Sequence, residues 1–196
     1  RRFAMMFAGG PLKVVLATVH VPLNSLWGRL NIGAVFTPIE LLHRALVDWF
    51  DIPAPHIAVA GLNPHASENG QFGDEEERII TPAIMMAREQ GINVTGPYPP
   101  DTVFLQARDG RFDAVVAMYH DQGLIPVKLL AFDQAVNLTI GLPIIRTSPD
   151  HGTAFDLVGR NKANPGSMRA AIDMAINLAI KRRLRQNASA GASRPR

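Results

Sequence analysis

The chain has 196 residues, of which 47% are hydrophobic and 19% are charged, and this balance is typical of a globular protein with one substantial core. Cysteine is absent, which excludes disulfides, thiolate metal ligands and thiol nucleophiles, and fits a cytoplasmic location. No apolar run approaches the ~18 residues of a membrane span, so we expect no membrane partner.

The net charge of +3 arises at the end of the chain. Residues 181–196 contain six basic residues and no acid, whereas the remaining residues carry 14 basic and 17 acidic groups. Because the body is mildly acidic, we expect no nucleic-acid partner, and we predict that 181–196 is a basic, disordered tail.

Strands and helices alternate along the first half of the sequence. The apolar run 14–19 predicts a buried strand, and a helix with Thr37 as its N-cap follows, ending near residue 51. The run 57–64 predicts the next strand. The acidic residues 74–77 then predict the start of a helix that Pro82 kinks or splits.

The second half continues this alternation. The proline-rich segment 96–101 predicts a loop, and a short helix leads into a third apolar strand at 114–119. A helix near 122–130, a strand near 136–140 and a last helix capped by Ser167 complete the chain. The pattern predicts an α/β fold with a largely parallel sheet flanked by helices.

Three histidines come directly after three of these apolar runs, namely His20, His65 and His120. Ligand sites in open α/β sheets lie beyond the carboxyl ends of the strands, and three imidazoles at one edge favour a divalent metal. Against this, a single histidine is usually a hydrogen-bonded polar residue. His43 lies within a helical pattern and His56 precedes its strand, so we expect both to be surface or capping residues.

The residues around the third histidine add charged groups. Asp121 and Lys128 follow His120 within nine residues, and Asn137 and Arg146 flank the turn that follows the next strand. Arginine suits bidentate capture of phosphate or carboxylate, so a metal with these cations favours a small anionic substrate. The alternative is a polar turn with a merely solvated lysine.

Residues 151–165, HGTAFDLVGRNKANP, resemble the adenosine-binding loop of the isocitrate and isopropylmalate dehydrogenase superfamily. Members of that superfamily bind NAD without the G-x-G-x-x-G fingerprint, which this sequence also lacks. Phe155 stands where many members have proline, so this loop alone does not assign a subgroup.

Five further segments assign one, because together they resemble the 4-hydroxythreonine-4-phosphate dehydrogenase family. They are TVHVPL at 18–23, GLNPHA at 61–66, GPYPPDT at 96–102, MYHDQG at 118–123 and NLTIGLP at 137–143. The resemblance covers nearly all of 11–180, in order. It implies an isocitrate/isopropylmalate dehydrogenase-like fold in which 1–180 is partial: a central metal and dimerisation lobe plus the C-terminal part of the NAD lobe.

The resemblance also implies cofactors and site residues. A divalent metal (Zn, Co or Mg) would sit at a homodimer interface with ligands from both subunits, and these ligands would be His20, His65 and His120. The implied substrate contacts are Lys128, Asn137 and Arg146, with Asp101 and Asp121 as candidate catalytic acids nearby. The implied contacts to NAD or NADP are His151, Gly152, Thr153, Ala154, Asp156 and Asn164.

The implied reaction is oxidation of 4-phosphohydroxy-L-threonine, with decarboxylation to 3-amino-2-oxopropyl phosphate, in pyridoxal phosphate biosynthesis. Related enzymes act on phosphothreonate, phosphorylated sugar acids or cyclic dihydrodiols, and these substrates remain alternatives. Family members are longer, and we expect the missing region, with a substrate-binding His-Thr pair, to precede Arg1. The 196-residue chain is therefore predicted to be weakly active or inactive, and a non-catalytic remnant that binds metal or dimerises is the second alternative.

Overall fold

The computed structural model describes residues 2–192, with side chains described as far as Asn187. Within these residues seven strands form one sheet: β1 (Ala4–Gly9), β2 (Leu12–Leu16), β3 (Ile57–Ala60), β4 (Val94–Tyr98), β5 (Ala114–Ala117), β6 (Val136–Ile140) and β7 (Thr147–Pro149). The helices are α1 (Ile32–Phe50), α2 (Thr81–Glu89), α3 (Val103–Arg108), α4 (His120–Ala131) and α5 (Gly166–Ala192). The α/β prediction is confirmed.

The sheet is mixed, because antiparallel strands extend the predicted parallel arrangement. Its strand order is β4-β3-β5-β2-β1-β6-β7, in which the pairings from β4 to β2 are parallel and those from β2 to β7 are antiparallel. β1 is antiparallel to its neighbours because β1 and β2 form a hairpin that turns at Gly10, where φ is +53°, and β7 returns separately along β6. Neither β1 nor β7 was expected from the sequence.

Helices cover both faces of the sheet. Alternate residues of β2 show this division, since Val15 packs in the cluster with α1, α2 and α5, whereas Val14 packs in the cluster with α3 and α4. Both side chains are fully buried. Strands covered on both faces explain why the apolar runs are nearly continuous.

Helix α1 begins earlier than the sequence predicts. Its N-cap is Asn31, whose side chain accepts a hydrogen bond from the Ala34 amide at 2.9 Å, and Thr37 and Pro38 lie inside the helix. Asparagine caps a helix as well as threonine does, so the helix starts after Asn31 and the residues between Asn31 and Thr37 are already helical. The missing amide of Pro38 removes one backbone bond without ending the helix.

Two predictions around proline have different outcomes. Pro82 does split the second helical region, because a π-turn at Glu76–Ile80 precedes α2. The segment 96–101, however, is not wholly a loop, since β4 runs through Pro97 to Tyr98. β4 is at the edge of the sheet, where proline is tolerated in a strand because one side of the strand needs no donor.

Helix α5 extends further than expected. It begins at Gly166, whose amide donates to Asn164 Oδ1 at 2.9 Å, so Ser167 is not the cap. It then continues through the basic residues to Ala192 instead of becoming disordered at 181, while 193–196 lie outside the described residues.

The basic residues of α5 hold this extension against the end of α1. Lys181 Nζ donates to Trp49 O at 2.9 Å, and Arg185 contacts Asp48 and Asp51 at 2.8 Å each. Hydrogen bonds from Lys181 and Arg185 hold the pKa of Asp51 below its usual range. Between residues 2 and 192 no helix combines the length and apolarity needed to cross a membrane.

Candidate functional site

The predicted site residues gather at one edge of the sheet. β2, β3, β4 and β5 run in the same direction, so the segments that follow them all leave from the same edge. Those segments carry His20, His65, Asp101 and His120. Asp101 lies exposed in the turn between β4 and α3.

His20 and His120 face each other at this edge. Their ring centroids are 5.3 Å apart, with the ring planes at 43°. The two strand ends that carry them are tied together, because Thr18 Oγ1 donates to Met118 O at 2.7 Å and Ala17 N donates to Ala117 O at 2.8 Å. The two rings line a cleft of about 280 Å³.

Asp121 fixes the orientation of the His120 ring. Its Oδ1 lies 2.7 Å from His120 Nδ1, and a carboxylate only accepts hydrogen bonds, so the hydrogen is on Nδ1. Nε2 is then left with its lone pair available for a cation. Asp121 itself is mostly exposed. In this structure the predicted catalytic acid orients a histidine.

The histidine pair fits a divalent metal. Two imidazoles that bind one zinc ion tetrahedrally, at about 2.0–2.1 Å, have ring centroids about 5 Å apart. The observed 5.3 Å matches this separation. Within residues 2–192, however, no group of three or more histidine and acidic side chains is arranged to hold a metal. The chain therefore brings together two of the three predicted ligands.

His65 is the predicted ligand that stands apart. It is exposed, with its Nδ1 3.8 Å from Glu68 Oε1 and its ring centroid 6.2 Å from that of Phe72. Residues 65–69 all have φ between +44° and +69°, although none of them is glycine. Each such residue costs about 1–2 kcal/mol in the left-handed conformation, so surrounding contacts must hold this turn.

Lys128 lies two turns along α4 from His120, and it contacts a residue that sequence reasoning missed. Its Nζ donates to Asp150 O at 3.2 Å and lies 3.7 Å from Asp150 Oδ2, which is buried and has no hydrogen-bond partner among the described residues. Burial raises the pKa of Asp150, while the charge on Lys128 acts in the opposite direction. In the sequence, the only sign that Asp150 belongs to the site is its position directly before His151.

Asn137 and Arg146 lie on the same side of the sheet as α4. Asn137 pairs in register with Phe7, and Phe7 packs in the core cluster that includes α4. Asn137 Oδ1 is buried with no hydrogen-bond partner in the described part of the chain. Arg146 is exposed, and its guanidinium donates to Thr139 Oγ1, two residues along the same face of β6, at 2.9 Å.

The predicted cofactor loop borders its own cavity of about 360 Å³. Its lining includes four of the predicted residues, namely His151, Gly152, Ala154 and Asn164, whereas Thr153 and Asp156 are exposed outside it. Phe132 lines this cavity and also a cleft of about 430 Å³ that contains His120 and Lys128. The two cavities are therefore neighbours across one aromatic side chain.

The burial of His43 and His56 differs from the sequence prediction. His43 and His56 are both half-buried rather than surface residues. His56 Nε2 lies 2.7 Å from Thr95 Oγ1, and its backbone amide donates to Asp113 Oδ2 at 2.7 Å. The contacts of His56 are internal, and His43 lies within α1 with a buried Nδ1 that has no hydrogen-bond partner among residues 2–192, so neither residue belongs to the candidate site.

Comparison with known proteins gives consistent results. Residues 1–175 match the model of the family described as "Pyridoxal phosphate biosynthetic protein PdxA". A 4-hydroxythreonine-4-phosphate dehydrogenase from Desulfosudis oleivorans is 58% identical over 179 residues, which are 91% of this chain and 53% of that protein. A D-threonate 4-phosphate dehydrogenase from Salmonella typhimurium is 52% identical over 91% of this chain and 54% of its own length.

A solved structure agrees with these sequence matches. The crystal structure of 4-hydroxythreonine-4-phosphate dehydrogenase from Klebsiella pneumoniae superposes with a TM-score of 0.84 at 51% identity, covering 91% of this chain and 55% of that one. The chain thus spans about half the length of the relatives that it matches.

Proposed function

The chain belongs to the family of the pyridoxal phosphate biosynthetic protein PdxA, and on this premise we propose that it forms part of a metal- and NAD(P)-dependent dehydrogenase. The proposed substrate is 4-phosphohydroxy-L-threonine, which is oxidised at its secondary hydroxyl and then loses carbon dioxide to give 3-amino-2-oxopropyl phosphate. The observation that carries the proposal is the facing pair His20 and His120 at the carboxyl edge of the sheet.

His20 and His120 are the residues that would hold the metal. A bound divalent cation would supply Lewis acidity toward the substrate hydroxyl, and zinc, cobalt and magnesium are the candidates. Asp121 keeps His120 Nε2 free for this role through its contact with Nδ1. The histidines thus act by binding and the aspartate by orientation.

The cationic and amide groups on the α4 side of the sheet would bind the substrate. Lys128 lies on the same helix as His120. Asn137 lies on β6, and Arg146 lies in the turn after β6. The amide oxygen of Asn137 is buried, has no hydrogen-bond partner within residues 2–192, and can accept from a bound ligand. Together these groups suit a small phosphorylated acid.

The cavity beside the loop 151–165 would hold the adenosine half of NAD or NADP. It borders His151 and Asn164, and Phe132 separates it from the cleft that contains His120 and Lys128. This adjacency would bring a nucleotide and a substrate close together, and proximity of this kind lowers the entropic part of the barrier.

A second copy of the chain would complete the metal site. His65 stands apart from the other two histidines and is exposed beside Phe72, and we propose that it reaches a partner subunit's His20 and His120. Leu23, Trp27 and Phe72 are 61%, 58% and 48% exposed, so a partner subunit that covered them would bury apolar surface. We propose a cytoplasmic homodimer.

The test combines metal, substrate and nucleotide. With Co²⁺ or Zn²⁺ added, the chain is expected to bind 4-phosphohydroxy-L-threonine, and this binding should be lost in His120→Gln and weakened in Lys128→Ala. Any NADH formation should be slow and should require the metal. Absence of metal-dependent substrate binding would refute the proposal, and turnover as fast as that of ordinary enzymes would refute the expected weak activity.

D-threonate 4-phosphate is the second candidate substrate, because the Salmonella typhimurium relative is named for it. Binding titrations with both phosphorylated acids decide between them, since one chain should bind its own substrate more tightly. Phosphorylated sugar acids and cyclic dihydrodiols complete the panel.

A further inference from the structure

The turn at 65–69 combines an unfavourable backbone with an exposed side chain. Five consecutive non-glycine residues adopt the left-handed conformation there, and His65 is the first of them. Only Ser67 within this turn is buried, so burial of the turn's own side chains does not explain its conformation. A neighbouring group must stabilise it.

Glu76 is the group that the structure places at this turn. It is only 3% exposed, and its Oε1 accepts hydrogen bonds from the backbone amides of Leu62 and Asn63 at 2.7 Å each. Its Oε2 accepts from Asn63 Nδ2 at 2.9 Å. A buried carboxylate with three donors fixes the chain immediately before the turn, because charge-assisted bonds are short and strong.

Two neighbouring features make this contact close. A Cβ at Gly61 would lie 3.0 Å from Glu76 Oε1 and 2.9 Å from Ala66 Cα. The Glu76 carboxylate and the turn can therefore approach the backbone of residue 61 this closely only because that residue has no side chain. Glu75 Oε2 also accepts from Asn63 Nδ2, at 2.8 Å. Asn63 is therefore held by two buried carboxylates.

The same segment is connected to the helix that carries His120. Gln122 Nε2 donates to Gly61 O at 2.8 Å, and Gln122 Oε1 accepts from Met118 N at 2.6 Å. The end of β3 is thus bonded to Glu76 on one side and to the start of α4 on the other.

We propose that Glu76 is a positioning residue that holds the left-handed turn 65–69 and so presents His65 to the metal site of a second copy of this chain. The inference rests on the proposed function, because it assumes that His65 is a metal ligand. Glu76 touches no reacting group and acts through the backbone of residues 62 and 63.

The first test measures the turn itself. In Glu76→Gln the side-chain amide keeps one acceptor oxygen but turns a donor toward Asn63 Nδ2, so hydrogen exchange of the amides in 62–69 should accelerate by about tenfold or more. Glu77→Gln is the matched control, because Glu77 is the adjacent exposed glutamate. Exchange that is unchanged in Glu76→Gln would overturn the proposal.

The second test measures metal binding with Co²⁺ alone. Glu76→Gln should weaken Co²⁺ binding in the same direction as His65→Ala, while Glu77→Gln binds normally. Adding Ala66→Gly to Glu76→Gln should restore part of the affinity, because glycine adopts a positive φ freely and Ala66 has φ +53°. A purely structural role for Glu76 would not give this rescue.

The outcomes separate the two proposals. If His65→Ala weakens Co²⁺ binding but Glu76→Gln does not, the positioning role is wrong and the proposed function stands. If His65→Ala binds Co²⁺ normally, His65 is not a ligand and both its metal role and its presentation by Glu76 are wrong. Should Glu76→Gln fail to fold, Glu76→Asp decides by the same measurements, because the shorter side chain keeps its charge but withdraws the carboxylate from the amides of residues 62 and 63.

Discussion

Gly123 sets how closely α4 packs against the sheet, and its replacement by alanine gives a quantitative test. A Cβ at this position would lie 2.7 Å from Leu16 Cδ2, 3.0 Å from Val14 Cγ1 and 3.1 Å from Ala117 Cβ. Overpacking of a core costs about 1–3 kcal/mol. Alanine returns about 1 kcal/mol through its higher helix propensity. Gly123→Ala should therefore destabilise the chain by about 0–2 kcal/mol.

The same substitution should affect the metal site. Moving α4 away from β2 and β5 also moves His120 away from His20, so the Co²⁺ affinity should fall. Thermal unfolding followed by circular dichroism should show a Tm decrease of up to about 8 °C, since about 1 kcal/mol corresponds to about 2–4 °C at this chain length. Gly28→Ala is the control, because its Cβ would meet Ser25 O at an ordinary 3.7 Å. A Gly123→Ala variant with raised Tm and unchanged Co²⁺ affinity would refute this reasoning.

Three further substitutions test other contacts by thermal unfolding. Asn31→Ala removes the N-cap of α1 and should cost about 1 kcal/mol, and an unchanged Tm would show that the cap contributes nothing. Burial raises the pKa of Asp150, so its ionised carboxylate lowers stability at neutral pH and this penalty disappears below the ordinary aspartate pKa. Asp150→Asn should therefore raise the Tm near about pH 7 but not near about pH 3, and a lower Tm at neutral pH would contradict this expectation. The pKa of Asp51 is lowered by Lys181 and Arg185, so its stabilisation is present at neutral pH and is lost as the pH falls through the folded-state pKa. Asp51→Asn should therefore lower the Tm at about pH 7, and its Tm should approach that of the unmodified chain toward about pH 3. An equal Tm difference at both pH values would show that the ion pairs of Asp51 do not cause the loss of stability.

The sequence predicts the histidine pair because an apolar run, and the residue that follows it, are visible in a short stretch of sequence. Buried parallel strands appear as apolar runs, and the residue that follows such a run lies at the ligand edge of the sheet. His20 and His120 accordingly lie together in the structure. It cannot separate His65 from them, because the left-handed turn that carries His65 is built from ordinary residues with no glycine signal.

Other features depend on contacts between distant segments. The pairing of β1 with β6 joins residues more than 120 positions apart, for which no local pattern exists. Asp150 and Glu76 resemble ordinary surface acids in the sequence, and only the fold shows that Asp150 faces Lys128 and that Glu76 is buried beneath a turn. The extension of α5 likewise depends on acids at the end of α1.

We propose that His20 and His120 bind one divalent cation. X-ray absorption at the zinc edge, measured on the zinc-loaded chain, reports the ligands of that cation. We predict imidazole nitrogen scattering at about 2.0–2.1 Å that decreases in His120→Gln and in His20→Gln. Zinc bound without imidazole ligands, or a spectrum that neither substitution changes, would contradict the account.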